Sequence, residues 1–107
     1  MSSDSSDDEV FKALANGTRR RMLDAVRDAP QTTGMLCEAF PDIDRCTVMQ
    51  HLKVLEAAKL LLVTREGRER WNHLNAMPIQ EIHDRWISQY AGHAMSVLGA
   101  MKADLGG

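Results

Sequence analysis

One segment, residues 44–58 (DRCTVMQHLKVLEAA), carries the side chains that are best suited to binding chemistry. Cys46, Gln50 and Lys53 recur at helical spacing, so they share one face of a helix, and Thr47 flanks that face. An amide such as Gln50 can bond an adenine edge in two places, and the Thr47 methyl group can contact thymine. The pattern therefore predicts a helix that touches DNA, with a solvated polar face as the alternative.

The opposite face of this segment is apolar. Val48, Leu52 and Leu55 follow one another at spacings of four and three, which predicts that they pack against a core. Asp44 is a favoured N-cap residue, because its carboxylate can accept from a free backbone N–H of the first turn. Arg45 lies beside that N-terminus and suits a phosphate or a guanine.

A cluster of cations follows in the sequence TREGRERW. Glu66-Gly67 predicts a turn between two strands, since glycine tolerates positive φ. Arg68 stands at the tip and is expected to reach phosphate or a narrow minor groove. Arg65 and Arg70 could do the same, or they could pair with the neighbouring glutamates. Together, the helix and the basic hairpin outline a winged helix-turn-helix.

The remaining elements are predicted from apolar periodicity and from residues that begin or end helices. Helices are expected at 8–15, 18–29, 34–40 and from Pro78 to about Leu105, and strands at 61–65 and 68–74. The chain is thus mostly α, with five helices and a two-stranded β-hairpin. The last helix carries an apolar stripe that is longer than a domain of 107 residues can cover by itself. A partner is therefore expected to complete the core.

Composition limits the classes of function. The 107 residues are predicted to form one domain at 8–105, behind an acidic tail at 1–7 that is expected to be disordered. The chain has 13 basic and 15 acidic residues, and four of those acids lie in the N-terminal sequence SSDSSDDE. The remainder is weakly basic, so local clusters must supply the phosphate contacts. No catalytic motif or phosphate-binding loop is recognisable, so we do not expect an enzyme.

The expected location of the chain is the cytoplasm. No apolar run approaches the length of a membrane span, and the N-terminus is polar rather than signal-like. Cys37 and Cys46 form no CxxC pair, and we expect both to be reduced thiols. Contact with a membrane is not expected.

Three motifs carry a resemblance to a known family: FKALANGTRRRMLDAV, TVMQHLKVLEAAKLLLVTREGRER and LNAMPIQEIHDRWISQY. Over roughly residues 9–105 the chain resembles the ArsR family of bacterial winged-helix repressors, and within it a subgroup that lacks metal sites. The resemblance implies a homodimer that is joined through the first and last helices. It also implies that the helix at 44–58 enters the major groove, while the hairpin lies on the DNA backbone or minor groove.

Two sets of residues follow from these patterns and from the resemblance. The DNA-binding set is Arg19, Arg45, Cys46, Thr47, Met49, Gln50, Lys53 and Arg68. The dimer-interface set is Val10, Phe11, Leu14, Ile82, Trp86, Tyr90, Val97 and Met101. Arg19 opens a run of three arginines, of which one or two are expected to reach phosphates. No catalytic residue, metal ligand or cofactor is expected.

Three positions depart from the family pattern. Met49 replaces a serine that is common two residues before the His-Leu pair, which alters the DNA-facing contacts. Lys59 stands where glycine is usual, so it should cost roughly 1 kcal/mol in a left-handed cap or adopt another cap. Gly17 stands where proline is common.

Metal or redox sensing is another use of the resembled fold. The third helix holds a single thiol, Cys37, and His83 and His93 lie about 15 Å apart along the last helix, too far to share one ion within a chain. Across a dimer these histidines could meet, but Ser96 stands where the family's metal pattern has a carboxylate. Oxidation of Cys46 would disturb DNA binding.

The sequence therefore predicts a homodimeric, sequence-specific repressor that binds an inverted-repeat operator in double-stranded DNA. One alternative is a winged-helix module that binds another protein. The other is a metal- or redox-responsive form of the repressor. No small-molecule inducer can be identified from the sequence.

Overall fold

The computed structural model describes residues 3–106, with side chains described for residues 5–102. Its helices are α1 (Ser3–Leu14), α2 (Gly17–Ala25), α3 (Thr33–Ala39), α4 (Arg45–Ala57), α5 (Met77–Ile82) and α6 (Ser88–Gly106), with a π-helical turn at His83–Ile87. Its strands are β1 (Gln31–Thr32), β2 (Leu61–Glu66) and β3 (Glu69–Leu74). The elements from Met77 to Gly106 are consecutive, so they correspond to the single last helix of the prediction. Five helices and a β-hairpin wing are confirmed.

The wing belongs to a sheet with one strand that the sequence did not predict. The strand order is β1-β3-β2, and both pairings are antiparallel. β1 has only two residues, which is too short for any periodicity to reveal it. On β3, the fully buried Asn72 donates from Nδ2 to the Gln31 carbonyl at 3.2 Å and to Thr33 Oγ1 at 3.3 Å. These bonds fix the start of α3 against the sheet.

Three helices begin at capping side chains. Asn16, Thr32 and Asp44 each accept from the backbone N–H three residues further on, at 3.1, 3.1 and 2.7 Å respectively. Such bonds satisfy N–H groups that have no partner inside the helix. The predicted cap at Asp44 is confirmed, whereas α2 begins at Gly17 rather than at Thr18.

The N-terminal helix begins earlier than the sequence indicates. Residues 3–7, expected to be part of a disordered tail, are helical. The Asp7 carboxylate accepts from Arg85 Nη2 at 2.8 Å and ties this turn of α1 to the π-helical turn. Sequence reasoning could not supply this partner, which lies at the other end of the chain. Residues 1 and 2 lie outside the described residues.

A core of buried apolar side chains joins the helices to the sheet. Its members are Val10, Ala13, Met22, Leu23, Val26, Leu36, Val48, Leu52, Leu55, Ala58, Leu60, Leu61 and Ile82. The apolar face predicted for α4 is thus buried in the core. Val10 and Ile82 are each 3% exposed, so their predicted place in a dimer interface is corrected. Each is buried inside its own protomer and has no surface left for a partner.

The C-terminal end of α4 has an unusual cap. Lys59 adopts a φ of +63°, the left-handed conformation that usually selects glycine. The Leu60 N–H donates to the Leu55 carbonyl at 2.9 Å, and Asn75 Nδ2 donates to the Lys59 carbonyl at 2.8 Å. These bonds hold a strained lysine in the position where the resembled family has glycine.

The last helix projects from the rest of the protein. Every residue from 83 to 102 is exposed, and the longest dimension of the chain is 65 Å. The radius of gyration is 18.1 Å, against about 13 Å for a compact domain of this length. In the described range, no helix has both the length and the apolar character needed to cross a bilayer. The apolar stripe of this helix is therefore uncovered in the single chain.

Candidate nucleic-acid interface

The outer face of α4 presents the predicted polar side chains. Cys46, Gln50 and Lys53 are exposed, and Thr47 is half-buried. With 13 residues, α4 is about 20 Å long and has the diameter that a DNA major groove admits. The amide, methyl and ammonium groups therefore stand on the surface where base edges and phosphates would meet them.

A second side of α4 faces the wing across a cleft of about 360 Å³. Arg45 and Met49, one helical turn apart, line it from α4, while Arg65 and Arg68 line it from the wing. The other lining residues are Thr32, Thr33, Gly34, Glu69 and Arg70. Four arginines against one glutamate give the cleft a positive charge, which suits a phosphate group.

The wing tip is shaped by a glycine. Gly67 adopts a φ of +61°, and apart from Gly67 and its two chain neighbours no described residue has an atom within 4 Å of the position that a Cβ would occupy there. Backbone conformation, rather than space, therefore favours glycine. The next residue, Arg68, is exposed at the tip. Its predicted position at the end of the hairpin agrees with the structure.

The half-buried Arg70 does not pair with the wing glutamates Glu66 and Glu69, which the sequence offers as possible partners. Its Nη2 donates to Glu56 Oε2 in the last turn of α4. Glu56 follows Arg45 by eleven residues and Met49 by seven, so the spacing places it on the side of α4 that faces the wing. The spacing alone could have placed Glu56 on this side of α4. Its partner Arg70 could not be identified from the sequence, because the pairing depends on how the wing folds against α4.

Arg19 has a different position from the one predicted. Its Nε donates to the Ala13 carbonyl at 2.8 Å and its Nη2 to the Lys12 carbonyl at 3.1 Å. Its Nη1 lies 3.3 Å from His51 Nδ1. The guanidinium therefore caps the C-terminal end of α1 and links it to α4. A side chain engaged in this way is a structural cap, and the geometry does not favour it as a phosphate ligand.

Two pKa shifts bear on α4. The backbone N–H of Thr47 lowers the pKa of Asp44, which keeps the carboxylate charged at the positive end of the helix. Burial lowers the pKa of His51, and the nearby charge of Arg19 lowers it further. A neutral His51 can accept at Nδ1 from Arg19, so its proton belongs on Nε2.

An apolar surface runs from α1 along the last helix. The Phe11 and Trp86 rings pack edge to face at 5.7 Å, and Trp86 packs in the same way on Tyr90 at 5.2 Å. All three rings are at least 40% exposed, as are Val97 and Met101 further along. Leu14 is half-buried against the core. Six of the eight predicted interface residues thus retain exposed surface.

The residues considered for metal or redox sensing lie apart. Among the side chains of residues 5–102, no group of three or more His, Cys, Asp or Glu could hold a metal ion. His83 Nδ1 lies 3.3 Å from Asp84, while His93 is exposed on α6. Both cysteines are free thiols: Cys37 is half-buried and Cys46 is exposed.

Comparisons with known proteins agree with this arrangement. A family model described as a helix-turn-helix domain matches residues 14–64. The HTH-type transcriptional regulator Rv2034 of Mycobacterium tuberculosis is 33% identical over 101 residues, which cover 91% of this chain and 94% of that protein. The transcriptional repressor SdpR of Bacillus subtilis is 32% identical over 72 residues, which cover 67% of this chain and 79% of that protein.

A solved structure extends the likeness to the whole fold. The crystal structure of the ArsR family transcriptional regulator RHA00566 matches with a TM-score of 0.75 and 25% identity, covering 87% of this chain and 94% of that one. The helix-turn-helix match runs from the last residue of α1 to the fourth residue of β2 and includes all of α4. This chain is therefore a transcriptional regulator with a helix-turn-helix DNA-binding domain, and it belongs to the ArsR family.

Proposed function

We propose that the protein is a homodimeric repressor that binds an inverted-repeat operator in double-stranded DNA. The observation that carries the proposal is the pairing of an exposed polar face on α4 with an arginine-lined cleft beside it. One face offers groups that read bases, and the other offers cations that hold the phosphate backbone. Regulators need both, because phosphate contacts set the position and base contacts set the sequence.

Each side chain has a distinct role in this proposal. Gln50 bonds an adenine edge and Thr47 contacts a thymine methyl group in the major groove. Arg45 and Arg68, on opposite walls of the cleft, bind backbone phosphates from the helix and from the wing tip. Lys53 adds a phosphate contact further along α4. Cys46 and Met49 contribute contact area, Cys46 towards the groove and Met49 towards the cleft.

A second copy of the chain covers the exposed apolar surface. The packed rings of Phe11, Trp86 and Tyr90 and the exposed Val97 and Met101 further along α6 make up an apolar patch of a kind that single-chain proteins rarely leave exposed. A two-fold axis through this patch makes the interface self-complementary. It also presents two copies of α4 about one helical turn of DNA apart, which requires an inverted repeat.

Repression follows from occupancy alone. A dimer seated on a promoter excludes polymerase and needs no catalytic group. SdpR, one of the relatives, is a transcriptional repressor. The net charge of −2 means that affinity depends on a few arginines and lysines per subunit, so binding should weaken steeply as salt rises.

The test is a titration of the protein against its own upstream DNA and against random DNA, followed by fluorescence anisotropy at two salt concentrations. We expect preferential binding to the upstream DNA that is lost in Gln50→Ala and in Arg68→Glu. Arg27→Glu is the matched control, because Arg27 is exposed and paired with Asp28 away from the cleft. If both variants bound like the wild type, the contact assignment would be wrong. If the wild type itself showed no preference for the upstream DNA over random DNA, the role of a protein-binding module would replace that of a repressor.

A further inference from the structure

The ion pair between Glu56 and Arg70 connects the recognition helix to the wing, and neither residue is among the DNA contacts proposed above. We propose that Glu56 is a positioning residue: through Arg70 it holds the wing at the angle that keeps the arginine cleft open for a DNA phosphate. The inference rests on the proposed function and goes beyond it, because it gives an acidic residue a positive role in binding a polyanion.

The strand register of the wing explains how the ion pair can fix the position of the cleft arginines. Arg70 lies directly opposite Arg65 across the two strands, and the next pair outward is Glu66 with Glu69. Arg65 and Arg68 both line the cleft. A bond from Arg70 to α4 therefore fixes the strand pair immediately below the tip, so that the cleft arginines face Arg45 at a constant distance.

The electrostatics of the two partners support a specific role. Glu56 lies in the last turn of α4, where the helix dipole disfavours a carboxylate. The side chain of Arg70 is only 21% exposed, and its Nε is buried with no hydrogen-bond partner in the described part of the chain. Arg65 adds a second cation across the strands. Without Glu56, Arg70 would be a half-buried cation beside another cation, and the wing would move away from α4.

Two physical effects predict opposite results when Glu56 is removed. If Glu56 only repels DNA or competes for Arg70, Glu56→Ala removes a negative charge, frees a cation and tightens DNA binding. If Glu56 positions the wing, the same change weakens binding although the protein becomes more positive. The sign of the change therefore separates the two effects.

Glu69→Ala is the matched control. Glu69 lines the same cleft and has no ion pair among the described residues, so its loss removes the same charge without loosening the wing. We expect Glu69→Ala to bind operator DNA as tightly as the wild type or more tightly, and Glu56→Ala to bind it about tenfold more weakly. Equal or tighter binding by Glu56→Ala would overturn the proposal.

Two further readouts separate positioning from general loss of structure. In a double-mutant cycle, Arg68→Ala should cost less affinity in the Glu56→Ala background than in the wild type, because a loosened wing no longer places Arg68. The charge-swapped pair Glu56→Arg with Arg70→Glu should recover most of the lost affinity. Additive losses without recovery would contradict the proposal.

A measurement on the free protein makes the inference independent of DNA binding. Hydrogen exchange of the backbone amides in β2 and β3 should be faster in Glu56→Ala than in Glu69→Ala, at equal protection of the core. Unchanged exchange in the wing would overturn the positioning role, whatever the DNA result. Wild-type protein that showed no preference for operator DNA would overturn the proposed function instead, while the exchange result would still decide whether Glu56 holds the wing.

Discussion

At the residue scale, Gln50 and Lys53 are expected to differ in what they contribute to DNA recognition. Gln50→Ala should lower the preference for adenine at one operator position by about tenfold or more, because one bidentate contact is worth about 1–3 kcal/mol of discrimination. Lys53→Ala should weaken binding to every sequence alike and reduce the salt slope by about one unit. Affinities for a set of operators with single base changes, at several salt concentrations, would measure both.

The opposite assignment would be visible in the same experiment. If Lys53→Ala changed the base preference and Gln50→Ala did not, the face of α4 that enters the groove would be rotated from the one inferred. Arg27→Glu again serves as the control for a change in overall charge.

His51 should make the stability of the protein depend on pH. Its pKa is lowered in the folded state from the ordinary value of 6.5, so the unfolded chain takes up a proton at a higher pH than the folded chain. Stability from this source is fully present above pH 6.5 and is lost as the pH falls from there through the folded pKa. Urea unfolding at pH 7.5 and 5.5 should show this loss, and His51→Gln should reduce it. An identical loss in the variant would contradict the role of His51.

The position and role of a residue could be predicted only where its spacing along one helix determines them. The cap at Asp44 and the exposed face of Gln50 and Lys53 follow from positions along one helix, and they agree with the structure. Arg19 could not be placed, because its guanidinium reaches back to carbonyls at the end of α1. Glu56 was missed for the same reason, since its partner lies on another element.

At the element scale, a substitution at the C-terminal cap of α4 is expected to stabilise the protein. Lys59 has a φ of +63°, and glycine adopts this conformation without the steric cost of a Cβ. Lys59→Gly should raise the free energy of unfolding by up to about 1 kcal/mol. Lys59→Ala retains the Cβ and should bring no such gain. Urea denaturation of the three proteins would measure the difference, and a gain in the alanine variant alone would show that the lysine side chain, not the backbone, is the source of strain.

The wing tip should respond to substitution in the opposite direction. Gly67→Ala introduces a Cβ at a φ of +61°, where there is space for it but the backbone is unfavourable. We expect a cost of about 1 kcal/mol that is confined to the hairpin. Hydrogen exchange should therefore rise in β2 and β3 and stay unchanged in α4. Uniform loss of protection would contradict a local effect.

Elements with a strong apolar period were predictable, and those fixed by distant contacts were not. α4 and the hairpin follow from the sequence, whereas β1 exists because β3 offers it a partner. The early start of α1 is explained by the contact of Asp7 with Arg85. Periodicity also predicted a single apolar stripe along the last helix. It could not show that the start of this stripe packs on the core of the same chain while the rest is exposed, so Ile82 was assigned to an interface although it is buried in the core.

At the scale of the whole molecule, the exposed face of α6 should control dimerisation and, through it, DNA binding. Val97→Asp places a charge within the apolar patch at a residue outside the core of the protomer, so the chain should fold but remain monomeric. Ser96→Asp, at a neighbouring exposed position off the stripe, is the control. Sedimentation velocity should give a monomer for the first variant and a dimer for the second. A dimeric Val97→Asp protein would place the interface elsewhere.

The central claim is that two copies of α4 read one operator from the same side of the DNA. Hydroxyl-radical footprinting of the protein on its operator tests it most directly, since the cleavage pattern reports which sugars each subunit covers. We predict two protected segments related by two-fold symmetry, with centres about one helical turn apart, and loss of both in Val97→Asp. A single protected segment that survives in Val97→Asp would contradict the account.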